Sequence, residues 1–426
     1  MSHDIVLNID IDEALESEPL NTDSSLRKLM WFCVAVAVVV FFIALATDDP
    51  RHVWGAFYTN LVFFMGLAAG GVMTTAIFQI VRAKWSPPIR RFAEANVAFL
   101  PWAFLLFLAS YAGKEYLFSW AQKPMPGREW WMQPCFVYAR FFVLFGLLYY
   151  LFYRFVWTSL RGDIGMLREQ SKNASRWKGL IYKSLAKDWK GADVEVPALQ
   201  RRMSYCAPVL VVIYAVVYTL FSTEMLAGMN EVWFSNMIGG FEFLGNIYMG
   251  WAVTGLFAIY YASRNSAYEK ILDKQQLWDL GKLCFGFCML WGYTFFSQFL
   301  PQWYGNMPEE TQWLILRTRE YPWREFGWFT FAMCFVIPFI LLVSEDLKKN
   351  PVTFSLVAFI ICIGLWCEKY IIIMPELSGA SIPFSYVEVA LFFGFLGAYI
   401  LSISAFLRTF PYVPLSHPLT RGSTDW

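Results

Sequence analysis

Long apolar runs separated by short polar segments recur along the whole chain. Runs long enough to cross a bilayer, about 20 mostly apolar residues each, begin near Arg27, Trp54, Arg90, Pro134, Met203, Val232, Leu277, Glu325, Val352 and Ser385, and the last ends near Leu407. They predict an all-α polytopic membrane protein with about ten transmembrane helices. A faint internal repeat overlays spans two to five on spans six to nine. Trp54 and Trp233 open the first member of each unit, and Phe118–Trp120 and Trp303–Tyr304 close the second. With four helices per unit both copies keep one orientation, so the repeat reads as a parallel duplication.

Composition agrees with that pattern. Of 426 residues, 58% are hydrophobic and only 16% charged, with 19% aromatic, whereas a soluble domain carries about 25% charged residues. A net charge of +1 offers no basic face for a nucleic-acid partner. The placement of charge says more. With the N-terminus inside, 25 Lys and Arg fall on the inner side and 8 on the outer, Lys369 among the latter, and Arg140 lies within a span. That asymmetry predicts cytoplasmic termini. Residues 1–26 form an acidic cytoplasmic tail, without Lys or Arg through Ser25, the reverse of a secretory signal; residues 409–426 form a second cytoplasmic tail. The outer loops are rich in Trp and Tyr, which suits an interfacial belt or a docking surface. In the longest inner loop Trp177, Leu180, Ile181, Leu185 and Trp189 recur at helical spacing among Lys and Arg, predicting a helix on the membrane surface.

The three histidines, His3, His52 and His417, all lie outside the middle of any span, and no two of the eight cysteines have CxxC spacing. The chain is therefore expected to bind no haem, iron–sulfur cluster or metal itself. Charged groups in hydrocarbon cost roughly 2.5–3.5 kcal/mol each on insertion scales, so each needs a partner, a watery cavity or a task. Glu242, with Asn246 one turn deeper on its face, Arg140, Glu224, Gln298 and Glu388 belong to the outer half. Glu94, Asp279 and Lys282 belong to the inner half. Glu242, flanked by Phe241 and Phe243 with no basic neighbour in its own helix, is the candidate centre of a proton pathway through these residues. Its alternative is a structural role. Arg140 with a glutamate reads equally as a buried ion pair, Glu368 with Lys369 as an interfacial pair, and Asp279 with Lys282 as a helix-start pair. Gly66, Gly70, Gly71, Gly245 and Gly250 read as close helix packing.

Two segments carry a resemblance. The turn Trp85-Ser-Pro-Pro-Ile-Arg-Arg-Phe-Ala-Glu94 resembles the second-to-third helix connection of the NrfD-like, or polysulfide reductase membrane subunit, superfamily. Ser297-Gln-Phe-Leu-Pro-Gln-Trp-Tyr-Gly-Asn-Met-Pro-Glu-Glu-Thr311 resembles the ActF-type integral subunit of alternative complex III, a bacterial quinol:cytochrome c oxidoreductase. Asp279-Leu-Gly-Lys282, Trp54 to Gly71 and Phe410-Pro-Tyr-Val-Pro-Leu-Ser-His-Pro418 extend it. The resemblance implies an NrfD-like transmembrane domain over 27–408, with one four-helix bundle at 54–224, a second at 232–373, and the first and last helices outside them. It also implies a bacterial inner membrane and three kinds of partner besides membrane lipid: multihaem cytochrome c subunits, a periplasmic iron–sulfur subunit, and a second NrfD-like membrane subunit that usually holds the quinol. Haem c and iron–sulfur clusters would then reside in the partners, and quinone is the one cofactor left open for this chain.

Three functions are compatible with the sequence. The chain is a cofactor-free membrane subunit of a quinol:cytochrome c oxidoreductase, scaffolding partners with or without conducting protons; or it is a secondary transporter, which parallel repeats and intramembrane carboxylates also suit; or it is the quinol-binding NrfD-like subunit of another respiratory oxidoreductase.

Overall fold

A computed structural model describes residues 20–170 and 180–418, and among these there are helices and turns but no strand. Ten helices are long and apolar enough to cross a membrane: α1 (Ser24–Thr47), α2 (Pro50–Ile80), α3 (Pro87–Leu117), α4 (Pro134–Glu169), α5 (Ala192–Met229), α6 (Ile238–Ala262), α7 (Lys274–Gly305), α8 (Trp323–Val343), α9 (Pro351–Ser378) and α10 (Tyr386–Thr409). The chain is a multi-pass membrane protein. With an even number of crossings, α1 begins and α10 ends on one face, the terminal face; the other is the distal face.

Local chemistry explains the helix starts. Proline occupies the first turn of α2, α3 and α9, where its missing N–H costs nothing. Asp273 with Gln276, and Ser385 with Glu388, form capping boxes at α7 and α10. Two starts differ from the sequence expectation. α5 begins about three turns before Met203, because a polar extension is tied to α4 by Arg161, whose Nε donates to Glu195 (2.9 Å). α6 begins at Ile238 because the Asn230 side chain accepts from the Val232 and Trp233 amides (3.0 and 2.9 Å), holding that stretch in a turn. Glu242 therefore lies one turn into its helix, closer to the helix start than a run beginning at Val232 implies.

Packing joins the spans into two four-helix bundles. α2, α3, α4 and α5 close one ring, and α6, α7, α8 and α9 close the other. Between the rings α2 lies against α6 and α9, and α6 lies against α5, the reciprocal contacts a parallel duplication produces. α1 pairs with α10 outside both. The seam depends on glycine: a Cβ on Gly70 would lie 1.9 Å from the Asn246 carbonyl oxygen, and one on Gly250 would lie 2.7 Å from that of Gly70. Only backbone fits there.

Part of the predicted surface helix and of both tails (residues 1–19, 171–179 with Trp177, and 419–426) lies outside the described residues. What is described corrects the reading of that loop. Leu180–Leu185 is helical, but Leu185 is buried in the protein core and Trp189 donates through Nε1 to Glu169 of α4 (2.8 Å) while covering Gly165. Leu185 and Trp189 of this stripe therefore pack on the protein rather than on lipid, while Ile181 stays exposed.

Candidate functional site

α6 brings Glu242 to the junction with α9, and α9 answers with a cation. The Lys369 Nζ donates to Glu242 Oε2 and to Glu368 Oε1, 2.6 Å each. Trp291 of α7 donates through Nε1 to the remaining oxygen of Glu368. All three charged side chains are sealed from solvent, with Glu242 and Lys369 at 0% exposure. Two carboxylates and one ammonium leave one unbalanced negative charge, and Glu242 Oε1 has no hydrogen-bond partner among the described residues. Nearby, the hydroxyls of Tyr58, Tyr214 and Tyr218 are turned to backbone, donating to the carbonyls of Met225, Phe243 and Met65 (2.9, 3.2 and 3.2 Å).

This arrangement overturns three expectations. Glu242 is not isolated, because its counter-charge comes from another helix, 127 positions along the chain. Lys369 is not an outer-loop cation, and Glu368 with Lys369 is not an interfacial pair. α9 continues to Ser378, about two turns past the charges, which places them inside the protein.

Asn246 follows Glu242 by one turn and presses against Gly66 of α2. Its amide has no partner of hydrogen-bonding geometry among the described residues. Five positions along α2, Gly71 faces Asn96 of α3, whose Oδ1 accepts from the Tyr399 hydroxyl of α10. Thr75 and Gln79 continue the buried polar row of α2 toward the terminal face.

A second charged cluster lies at that end. Arg90 donates through Nε to Glu94 Oε1 (3.1 Å) and through an Nη to Gln79 Oε1 (3.0 Å). Arg91 bridges Glu94 and Asp163. Asp163 Oδ1 in turn accepts from both the amide and the hydroxyl of Ser416 (2.7 Å each). Arg90, Arg91, Glu94 and Asp163 are all buried, so each cation is set against carboxylates rather than water. The same burial acts on His417, beside Ser416: desolvation first, then the positive charge of Arg90, pushes its pKa down to about 3.

The other predicted residues separate into local pairs. Arg140 reaches Glu224, which sits on a π-helical turn of α5 and also accepts from Trp131 Nε1 (2.9 Å); the Arg140 guanidinium lies 4.0 Å above the Trp131 ring. Glu388 caps α10 and accepts or donates across 2.6 Å to His52 Nε2 of α2. Gln298 returns to the Thr294 carbonyl of its own helix (3.4 Å). Asp279 pairs with Lys282, which is half exposed, and among the described residues neither bonds to Glu94 or Glu242.

Lys369, Glu368, Arg91 and Asp163 belong to these clusters and were absent from the proton pathway proposed from sequence. One signal for Lys369 existed: Tyr370-Ile-Ile-Ile-Met374 continues the apolar run beyond it. Nothing in the sequence around Asp163 marks it as buried.

Buried thiols account for Cys284, Cys288, Cys334 and Cys367, and all eight cysteines are free. Among the described residues no three His, Cys, Asp or Glu side chains come together as a metal site. Compared with known proteins, the chain matches no family model and no curated protein.

Proposed function

We propose that this chain is a cofactor-free membrane subunit of a quinol:cytochrome c oxidoreductase of the alternative complex III type, which scaffolds its partners and passes protons through its core. The single observation that carries the proton role is the sealed Glu242–Lys369–Glu368 group at the seam of two bundles, one charge short of neutrality, with one carboxylate oxygen unpartnered. Asn246, Asn96 with Tyr399, and Gln79 with the Arg90–Glu94 cluster supply polar stations toward the terminal face. Along α2 these stations are roughly 7–12 Å apart, so a proton passing between them needs more than one bridging water at each step. On the distal side Arg140 and Glu224 supply charge near the surface.

The respiratory setting rests on the resemblances of residues 85–94 and 297–311. In support, the second segment is displayed on the distal face, with Trp303 and Tyr304 exposed by 61% and 84%. Exposed Trp and Tyr at such density serve to anchor partner proteins, here multihaem cytochrome c, an iron–sulfur subunit and a second NrfD-like subunit. The reading places the chain in a bacterial inner membrane with both termini cytoplasmic.

Glu242→Gln in the assembled complex tests it. Lys369 keeps Glu368 as its counter-ion, so assembly and quinol:cytochrome turnover should persist while protons moved per electron in proteoliposomes fall. Unchanged stoichiometry would make Glu242 structural. Mild solubilisation should co-purify haem c and iron–sulfur subunits; a transporter would come out alone.

The pairing of His52 with Glu388 favours a second reading. A histidine and an acid 2.6 Å apart at the distal end of α2 and α10 are groups that accept quinol protons, so this chain would itself bind quinol. Loss of quinone-analogue binding in His52→Ala would support that reading, and unaltered binding would remove it.

A further inference from the structure

Between α4 and α5, on the lipid-facing side near the terminal face, lies a groove of about 320 Å³. Its lining is mostly apolar, with the buried Leu210 and Phe155, the exposed Val209, Tyr150 and Cys206, and the two cations Arg154 and Arg202 at its mouth. Both arginines are exposed, and among the described residues neither guanidinium forms an ion pair or hydrogen bond. Their neighbour Arg161, by contrast, is neutralised by Glu195 through two bonds of 2.9 and 3.0 Å.

The depth of these two cations matters. Arg154 lies twenty residues along α4 from Pro134, or about 30 Å of helix, which is the thickness of a bilayer's hydrocarbon core. It therefore meets the headgroup layer of the terminal-face leaflet. From the groove an apolar track runs into that core, with Val209, Val212 and Val216 exposed on α5 and Val143, Leu147 and Tyr150 exposed on α4.

We propose that this groove is a binding site for one anionic glycerophospholipid, with Arg154 and Arg202 holding the phosphodiester and an acyl chain lying along the track between α4 and α5. Two planar guanidiniums without protein counter-ions match phosphate oxygens in pairs. A zwitterionic lipid would bring its own cation to a mouth that already holds two. Basic pockets between transmembrane helices at a membrane surface are a general solution to anionic headgroup recognition. The site is independent of which complex the chain serves.

The test uses the full chain, purified in detergent, delipidated, and titrated with phosphatidylglycerol or phosphatidylcholine while native mass spectrometry counts bound lipid. One phosphatidylglycerol should be retained per chain, with phosphatidylcholine washed off. Arg154→Gln with Arg202→Gln should weaken retention by about 30-fold. The exposed control pair Arg201→Gln with Lys274→Gln should leave it unchanged. Cys206→Trp fills the groove while keeping both cations, and it should also release the lipid. Equal retention of phosphatidylcholine, equal loss in the control pair, full retention in Cys206→Trp, or displacement by excess inorganic phosphate would each overturn the proposal, the last by showing a free-anion site in place of a lipid site.

Discussion

Replacing Lys369 by Met keeps the length of the side chain and removes the charge that holds Glu242 and Glu368 together. The ammonium lies 2.6 Å from an oxygen of each carboxylate. With charge centres about 3.5 Å apart and an effective dielectric of about 20, the two attractions total about 9 kcal/mol. Removing the ammonium also returns the several kcal/mol that its own burial costs, leaving a net loss of about 3–5 kcal/mol. Thermal unfolding in detergent, followed by tryptophan fluorescence, should register a fall of about 5 °C or more. The triple variant Lys369→Met, Glu242→Gln, Glu368→Gln removes the stranded carboxylates as well and should recover most of that loss, because a neutral, filled core is often no less stable than a buried ion pair. Lys369→Met melting with the wild type, or the triple variant melting no higher than the single one, would refute the assignment of Lys369 as the counter-charge.

Three further outcomes follow from the packing and the charges. Gly70→Ala places a methyl 1.9 Å from the Asn246 carbonyl and should cost about 3 kcal/mol or more, seen as loss of the monodisperse peak in size-exclusion chromatography; Gly286→Ala, with nothing within 4 Å, should be silent. His417 is held neutral by burial, with its pKa pushed down to about 3, so the unfolded chain binds the extra proton between that value and about 6.5. Stability of the C-terminal segment is then full above about pH 6.5 and falls as pH drops below it, by about 1.4 kcal/mol at pH 5.5. Hydrogen–deuterium exchange over 410–418 should rise on that acidification, and His417→Phe should abolish the rise. Reporters fused at Asn173 and Asn306 should report opposite sides of the membrane, Asn173 cytoplasmic; the same side for both would refute the topology.

The ten spans were legible because each needs only its own residues: a bilayer-length apolar run is a local property. The seam was partly legible, since Gly66, Gly70, Gly71 and Gly250 cluster where helices approach, though not which helices. Partnership across the fold was not legible. Glu242 was recognisable as deep, yet its cation stands on α9, and no periodicity in α6 points there. Lys369 was misplaced for a physical reason: a Glu-Lys pair late in an apolar run is what a helix meeting the headgroups also shows, and only the continuation through Tyr370–Met374 distinguishes the two. Arg91 and Asp163 escaped because burial at the terminal face comes from the chain's C-terminal segment folding back over them through Ser416, a long-range event with no mark in the surrounding sequence.

α2 is buried along nearly its whole length and about 46 Å long. Near its distal end His52 is pinned to Glu388 and Asn60 accepts from Trp366 (3.0 Å); at its other end Gln79 is bonded to Arg90, Gln200 and Ser204. Between these ends, backbone touches backbone at Gly70. A hydrogen-bonded helix hardly stretches along its axis, so a rod gripped in this way behaves as a pushrod. An axial shift at the His52 end would arrive at Gln79 nearly undiminished, so the His52–Glu388 pair and the Arg90–Glu94 cluster, at opposite ends of the rod, are linked through it.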